Sequence, residues 1–298
     1  MHIHRTVPLL AAFALAVLSI TPLHAADLEE GSFDSNGVAI RYITKGQGQT
    51  VVLVHGFSAT AEANWVLPGV FEGLAKDFRV VAIDNRGHGK SGKPHDPGAY
   101  GDEMARDVLR LLDHLKIDQA HVVGYSMGGF LAMRLLALAP ERFASAVIGG
   151  AGWRPPGGPD PLMEELAGSL ERGEGISPLL RALQPPGQPA PPAEQLSMMN
   201  QMVMSTNDPL ALAAAIRGMA QLGITEETLR ANEVPVLAVI GSLDPLKAGV
   251  DAMTGVMAGL EVKVIDGADH ITALMNPQYA KPLLEAIHSF LVASCQCA

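Results

Sequence analysis

The sequence predicts a doubly wound α/β fold, a mostly parallel sheet with helices on both faces. Short apolar runs rich in Val and Ile recur along the chain, and longer segments with helical spacing separate them. A Gly-x-Ser-x-Gly pentapeptide stands where one such run gives way to one such segment. Hydrophobic residues make up 48% of the 298 residues and charged residues 17%, which suits a sizeable core and excludes a disordered chain. The formal net charge is -10 with no Lys/Arg cluster, so nucleic acid and anionic membrane surfaces are not expected as partners.

In chain order, residues 1–26 have the character of an export signal. Arg5 supplies a basic start, Val7 to Ile20 an apolar run too short to span a bilayer comfortably, and Ala25 or Ala26 a small residue for cleavage. A periplasmic or secreted protein is expected, starting at Ala26 or Asp27, with no stable membrane span after cleavage. Ser35-Asn36-Gly37 then divides two alternating segments between Ser32 and Gln49, the pattern of a β-hairpin. Val51 to Val54, Val80 to Ile83, His121 to Val123, Ala144 to Ile148, Val236 to Ile240 and Val262 to Ile265 are each apolar on both faces, as buried parallel strands are.

Met104, Val108, Leu111, Leu112 and Leu115 follow a period near 3.6, as do Phe130, Met133, Leu136 and Leu138 roughly, and Pro277 to Val292 supplies a closing helix. Between Gly152 and Glu233 the alternation stops. Pro155 to Pro192 is rich in residues that resist regular structure, and Glu194 to Leu222 is helix-like and rich in Met and Ala. The expected organisation is a core of 27–153 and 234–298 with a cap inserted at 154–233. Cys295 and Cys297 are the only cysteines, so no disulfide can staple the core, and their Cys-Gln-Cys tail is expected to be solvated.

Gly124-Tyr125-Ser126-Met127-Gly128 follows one predicted strand and precedes a helix, the setting in which a nucleophilic serine is turned clear of a sheet. A serine hydroxyl needs a base, and the base needs an orienting acid. After the strand ending at Ile240 comes Gly241-Ser242-Leu243-Asp244-Pro245, and after the strand ending at Ile265 comes Asp266-Gly267-Ala268-Asp269-His270. Asp244 and His270 are therefore the candidate acid and base, with Asp266 and Asp269 as competing carboxylates. An oxyanion would be met by the backbone N–H of Met127 and by that of Phe57, in the loop His55-Gly56-Phe57-Ser58. His55 is expected to pin that loop. No cofactor and no metal is expected.

With HGF at 55–57, DNRGHGKS at 84–91, GYSMGG at 124–129, GSLDP at 241–245 and GADH at 267–270, the chain resembles the α/β-hydrolase fold family across nearly all of its expected mature length. The resemblance implies an eight-stranded, largely parallel core with a helical cap, and for Asp84, Arg86 and His88 a scaffolding turn. Ser126 stands where family members acting on haloalkanes or epoxides carry a carboxylate, and Tyr42, Tyr100, Tyr125 and Tyr279 all lie outside the cap. The C–C bond hydrolases of the family usually have Asn before the serine and Trp after the histidine, where Tyr125 and Ile271 stand here. The expected activity is hydrolysis of a small-molecule carboxylic ester with an uncharged, short to medium acyl group. C–C bond hydrolysis of a 1,5-diketone, cofactor-free perhydrolysis and a non-catalytic binding protein are the alternatives. Met163, Met198, Met199, Met202, Met204 and Met219 serve either core or pocket, while Arg181 and Arg217 suit solvated helix faces.

Overall fold

Strands β1 (Glu29–Ser35) and β2 (Val38–Lys45) form an antiparallel hairpin whose two turn residues, Asn36 and Gly37, have φ of 56° and 82°. Positive φ at both central positions matches the twist of the flanking strands, and Asn and Gly tolerate it best. The structure is a computed structural model describing residues 28–158, 160–189 and 191–295. The expected export signal and Cys297 lie outside the described residues.

Six further strands complete one sheet: β3 (Thr50–Val54), β4 (Arg79–Ile83), β5 (Ala120–Tyr125), β6 (Phe143–Gly149), β7 (Val236–Gly241) and β8 (Leu260–Ile265). Their order is β1-β2-β4-β3-β5-β6-β7-β8, parallel from β4 to β8, with the hairpin added antiparallel at one side. The chain runs from β3 to β4 on one side and returns to β5 on the other. The loops after β3 and β5 therefore diverge and leave a crevice at the carboxyl edge, where open α/β sheets bind ligands.

The helices are α1 (Val70–Leu74), α2 (Asp102–His114), α3 (Met127–Leu138), α4 (Pro161–Glu171), α5 (Ser177–Ala182), α6 (Ala193–Thr206), α7 (Pro209–Gly218), α8 (Glu226–Arg230), α9 (Lys247–Met253), α10 (Thr272–Met275) and α11 (Pro277–Cys295). Alternate strand residues feed opposite layers. Val52, Val54, Val122 and Ile148 pack with Val108 and Leu112 of α2 and Leu131 and Leu135 of α3. Val51, Leu53, Val123 and Val147 pack with Phe71 of α1 and Ile287 and Leu291 of α11. A strand covered on both faces must be apolar at every position, which is why these runs do not alternate.

Three expectations are corrected. The run at Val262 to Ile265 is buried only at Ile265: β8 is an edge strand, and Val262 and Val264 are each 40% exposed. The Pro- and Gly-rich stretch holds α4 and α5, because its prolines sit at helix starts, where a missing N–H costs nothing. Asp160 accepts a hydrogen bond from the Leu162 N–H at 2.9 Å and caps α4 directly before Pro161. Cys295 is not in a solvated tail; it ends α11 half-buried, with Sγ 3.4 Å from His121 Nε2. Burial there pushes its thiol pKa up, the opposite of what a reactive thiol needs.

Candidate active site

Ser126 follows β5 and precedes α3 with φ 55° and ψ -118°, a conformation that non-glycine residues seldom adopt. Strand and helix pass so closely that a Cβ at Gly124 would overlap the Gly128 carbonyl, and one at Gly128 would overlap the Val54 carbonyl. Only glycine fits either place. Ser126 N–H donates to the Gly149 carbonyl at 2.8 Å, which ties the turn to β6.

The structure brings Ser126, His270 and Asp244 into one hydrogen-bonded chain. His270 Nε2 lies 2.9 Å from Ser126 Oγ, and His270 Nδ1 lies 2.8 Å from Asp244 Oδ2. A carboxylate can only accept, so the imidazole proton sits on Nδ1 and Nε2 faces the serine hydroxyl with its lone pair. The second oxygen of Asp244 accepts the Leu246 N–H at 2.9 Å. His270 and Asp244 are 5% and 3% exposed, so this pair works away from bulk water.

Two loops are stitched together to make the pair. Leu243 N–H donates to the Ala268 carbonyl at 2.9 Å, and Gly267 N–H donates to Ser242 Oγ at 2.8 Å. The competing carboxylates face elsewhere: Asp269 Oδ1 accepts the N–H groups of Ile271 and Thr272, and Asp266 Oδ1 meets Ser242 Oγ.

Tyr125 was overlooked as a supporting residue. Its buried hydroxyl donates to the His270 carbonyl at 2.6 Å, and its ring lies over Gly149 and Gly150, where a Cβ would strike it. A tyrosine followed by Gly-Gly at the end of the neighbouring strand is the local signal, but only sheet pairing aligns them, through Tyr125 opposite Gly149.

Phe57 and Met127 both border the cavity beside Ser126. The Met127 N–H begins α3, so no carbonyl one turn earlier takes it. The loop bearing Phe57 is held firmly: Asn85 N–H donates to His55 Nε2 at 3.0 Å, His55 Nδ1 then donates to the Gly56 carbonyl at 2.7 Å, and Gly56 N–H donates to Asn64 Oδ1 at 3.0 Å. A Cβ at Gly56 would stand 3.3 Å from that of Ser126, so the loop runs directly against the serine.

Asp84, Arg86 and His88 lie behind this front. Asp84 accepts from the N–H groups of Ala61 and Lys90, and Arg86 makes a two-pronged pair with Asp107 at 2.7 and 2.6 Å. His88 is fully buried, which holds its pKa down to about 3.

The cavity over Ser126 has a volume of about 330 Å³. Phe130 and Trp153 line it from the core side, and Met163, Leu179, Ile216 and Met219 from the helices between β6 and β7. The methionines thus divide: Met163 and Met219 face the cavity, whereas Met198 and Met202 are 63% and 60% exposed on α6. Arg217 pairs with Glu164 and Glu171, and Arg181 is exposed. The charged residues at the cavity are Arg154 and Asp160, which sequence reasoning did not single out. Among the described residues no group of three or more His, Cys, Asp or Glu side chains could hold a metal ion, and no helix is long and apolar enough to cross a membrane.

Residues 49–173 match the family model of the alpha/beta hydrolase fold. A dihydrolipoyllysine-residue acetyltransferase component of the acetoin cleaving system of Pseudomonas putida is 45% identical over 109 residues, which is 36% of this chain and 28% of that protein. The chain thus spans little more than a quarter of that relative's length. 3-Oxoadipate enol-lactonase 2 of Acinetobacter baylyi is 25% identical over 257 residues, 84% of this chain and 93% of that one. Among solved structures, Est816, described as an N-acyl homoserine lactone degrading enzyme, is 28% identical with a TM-score of 0.68 over 86% of this chain and 99% of its own. Fold, motif order and these likenesses agree: the chain has the α/β-hydrolase fold, and residues 49–173 carry the match to that family.

Proposed function

We propose that this protein is a serine hydrolase that cleaves carboxylic esters of uncharged, short to medium acyl groups through an acyl-enzyme. The observation that carries the proposal is the chain from Asp244 through His270 to Ser126, opening on a largely apolar cavity. Ser126 Oγ attacks the ester carbonyl as its proton passes to His270 Nε2, and Asp244 stabilises the imidazolium that results. The carbonyl oxygen, now an anion, is met by the N–H groups of Phe57 and Met127, each worth about 3 to 4 kcal/mol in such sites. Collapse expels the alcohol, which takes the proton from His270. Water then attacks the acyl-enzyme by the same route, releasing the acid and restoring Ser126.

Apolar walls reward each buried methylene by about 0.8 kcal/mol until the cavity is full. With p-nitrophenyl esters, kcat/KM should therefore rise over the first few acyl carbons and then fall. Ser126→Ala should abolish both turnover and labelling by a fluorophosphonate while the protein stays folded; labelling that survives sinks the assignment. Strong turnover of a vinylogous 1,5-diketone with none of any ester would favour C–C bond hydrolysis instead. Residues 154–233 act in this proposal as a cap that closes over the acyl group. Residues 1–26 act as a cleaved export signal, and material recovered outside the cytoplasm should begin at Ala26 or Asp27.

A further inference from the structure

Among the described residues, eighteen line the cavity over Ser126, and of these only Arg154 and Asp160 are charged. They form one ion pair, Arg154 Nη2 to Asp160 Oδ2 at 2.9 Å, with side chains 28% and 31% accessible. The Asp160 side chain and the backbone that carries Arg154 are both held in place. Asp160 is also the cap of α4, through Oδ1 and the Leu162 N–H. The Arg154 carbonyl accepts the Ile224 N–H at 2.9 Å, the Trp153 indole donates to the Ile224 carbonyl at 2.7 Å, and the Trp153 N–H donates to Gly249 at 3.0 Å. The segment carrying the guanidinium is clamped on both sides.

A fixed pair of opposite charges on an otherwise apolar wall presents a dipole with no net charge. The guanidinium has five N–H donors, of which Asp160 takes one, and each carboxylate oxygen retains a second lone pair. The complementary ligand both accepts and donates a hydrogen bond and is itself neutral. A carboxylate would gain Arg154 only by approaching Asp160, and it has nothing to donate.

We infer that the acyl groups this site is built for carry an uncharged amide or hydroxyl beyond the scissile carbonyl, which accepts from Arg154 and donates to Asp160. This inference rests on the hydrolase proposal for its orientation, with the reacting carbonyl at Ser126, and it narrows the substrate class to neutral, polar-ended acyl esters.

The test uses methyl esters of acids about six to eight carbons long, ending in methyl, carboxamide or carboxylate. Hydrolysis is followed by acid release, and binding to the Ser126→Ala protein by calorimetry. A hydrogen bond to a charged group is worth about tenfold or more in affinity, so the carboxamide esters should lead their methyl-ended counterparts by at least that factor, with carboxylates last. Arg154→Met should erase the lead. Asp160→Asn keeps a capping side chain on α4 but leaves the guanidinium unbalanced, so the carboxylate esters should gain about tenfold relative to the methyl-ended ones. Ratios are taken within each protein, and far-ultraviolet dichroism checks that each variant is folded. The same three-way ratio in all proteins, by both readouts, would overturn the inference. The expected order of binding with no turnover by the Ser126 protein would overturn the hydrolase proposal alone.

Discussion

Replacing Tyr125 by Phe removes one oxygen atom and asks whether the histidine is held by its main chain as well as by Asp244. The hydroxyl donates to the His270 carbonyl at 2.6 Å, and the ring, 6% exposed, remains seated over Gly149 and Gly150. The lost bond and the carbonyl left without its partner should cost about 1 to 2 kcal/mol, or about 2 to 4 °C in Tm for a chain of this size. The imidazole also loses a restraint on its backbone, 2.9 Å from the serine oxygen. Misplacement of the base raises the barrier without changing how substrate fits, so kcat should fall about tenfold with KM nearly constant. Steady-state kinetics on a p-nitrophenyl ester, with thermal unfolding of the same sample, separates the two effects. A lower Tm with unchanged kcat would show that Tyr125 only holds the fold, and the positioning argument would be wrong.

Asp244→Asn should lower kcat by about four orders of magnitude, because an amide cannot hold the Nδ1–H tautomer in the same way; if Asp269→Asn has that effect and Asp244→Asn does not, the acid is misassigned. Gly128→Ala forces a methyl group onto the Val54 carbonyl, so soluble folded protein should be lost or its Tm lowered sharply, whereas Gly157→Ala, with open space around it, should be silent; equal stability of the two variants by thermal unfolding would contradict the close approach. Acid should destabilise the fold before the active site is considered. Burial holds His88 at about 3 and His121 at about 4, and it lowers His55 too, while all three titrate near 6.5 when unfolded. The unfolded chain then binds more protons below that value, so stability is full above pH about 6.5 and declines toward the folded values by up to about 1.4 kcal/mol per histidine per pH unit. Urea midpoints that stay flat between about pH 7 and 4.5 would refute this.

Much of this protein is legible locally because its chemistry is local. Asn36-Gly37 dictates a hairpin turn within two residues, and Gly124 to Gly128 dictates a strand-turn-helix within five. The order of Ser126, Asp244 and His270 along the chain also follows, since each stands just beyond an apolar run. The capping pattern of Asp160-Pro161, repeated at Asp208-Pro209, is equally local, yet the density of Pro and Gly around Asp160 concealed α4 and α5. What sequence could not decide is what depends on strand order and register. Val262 to Ile265 has the composition of a buried strand, but its place at the end of the sheet leaves it exposed. Asp244, the acid expected from its place after a strand, meets His270 through a contact that only the structure explains: the loops after β7 and β8 are joined by bonds from Leu243 and Gly267. Tyr125 reaches a carbonyl 145 residues away, and Arg154 lies at the cavity on a segment that Ile224 and Gly249 hold. Backbone preference is set by a residue and its few neighbours, whereas the partner of a side chain is set by which distant segments the sheet brings to the same edge.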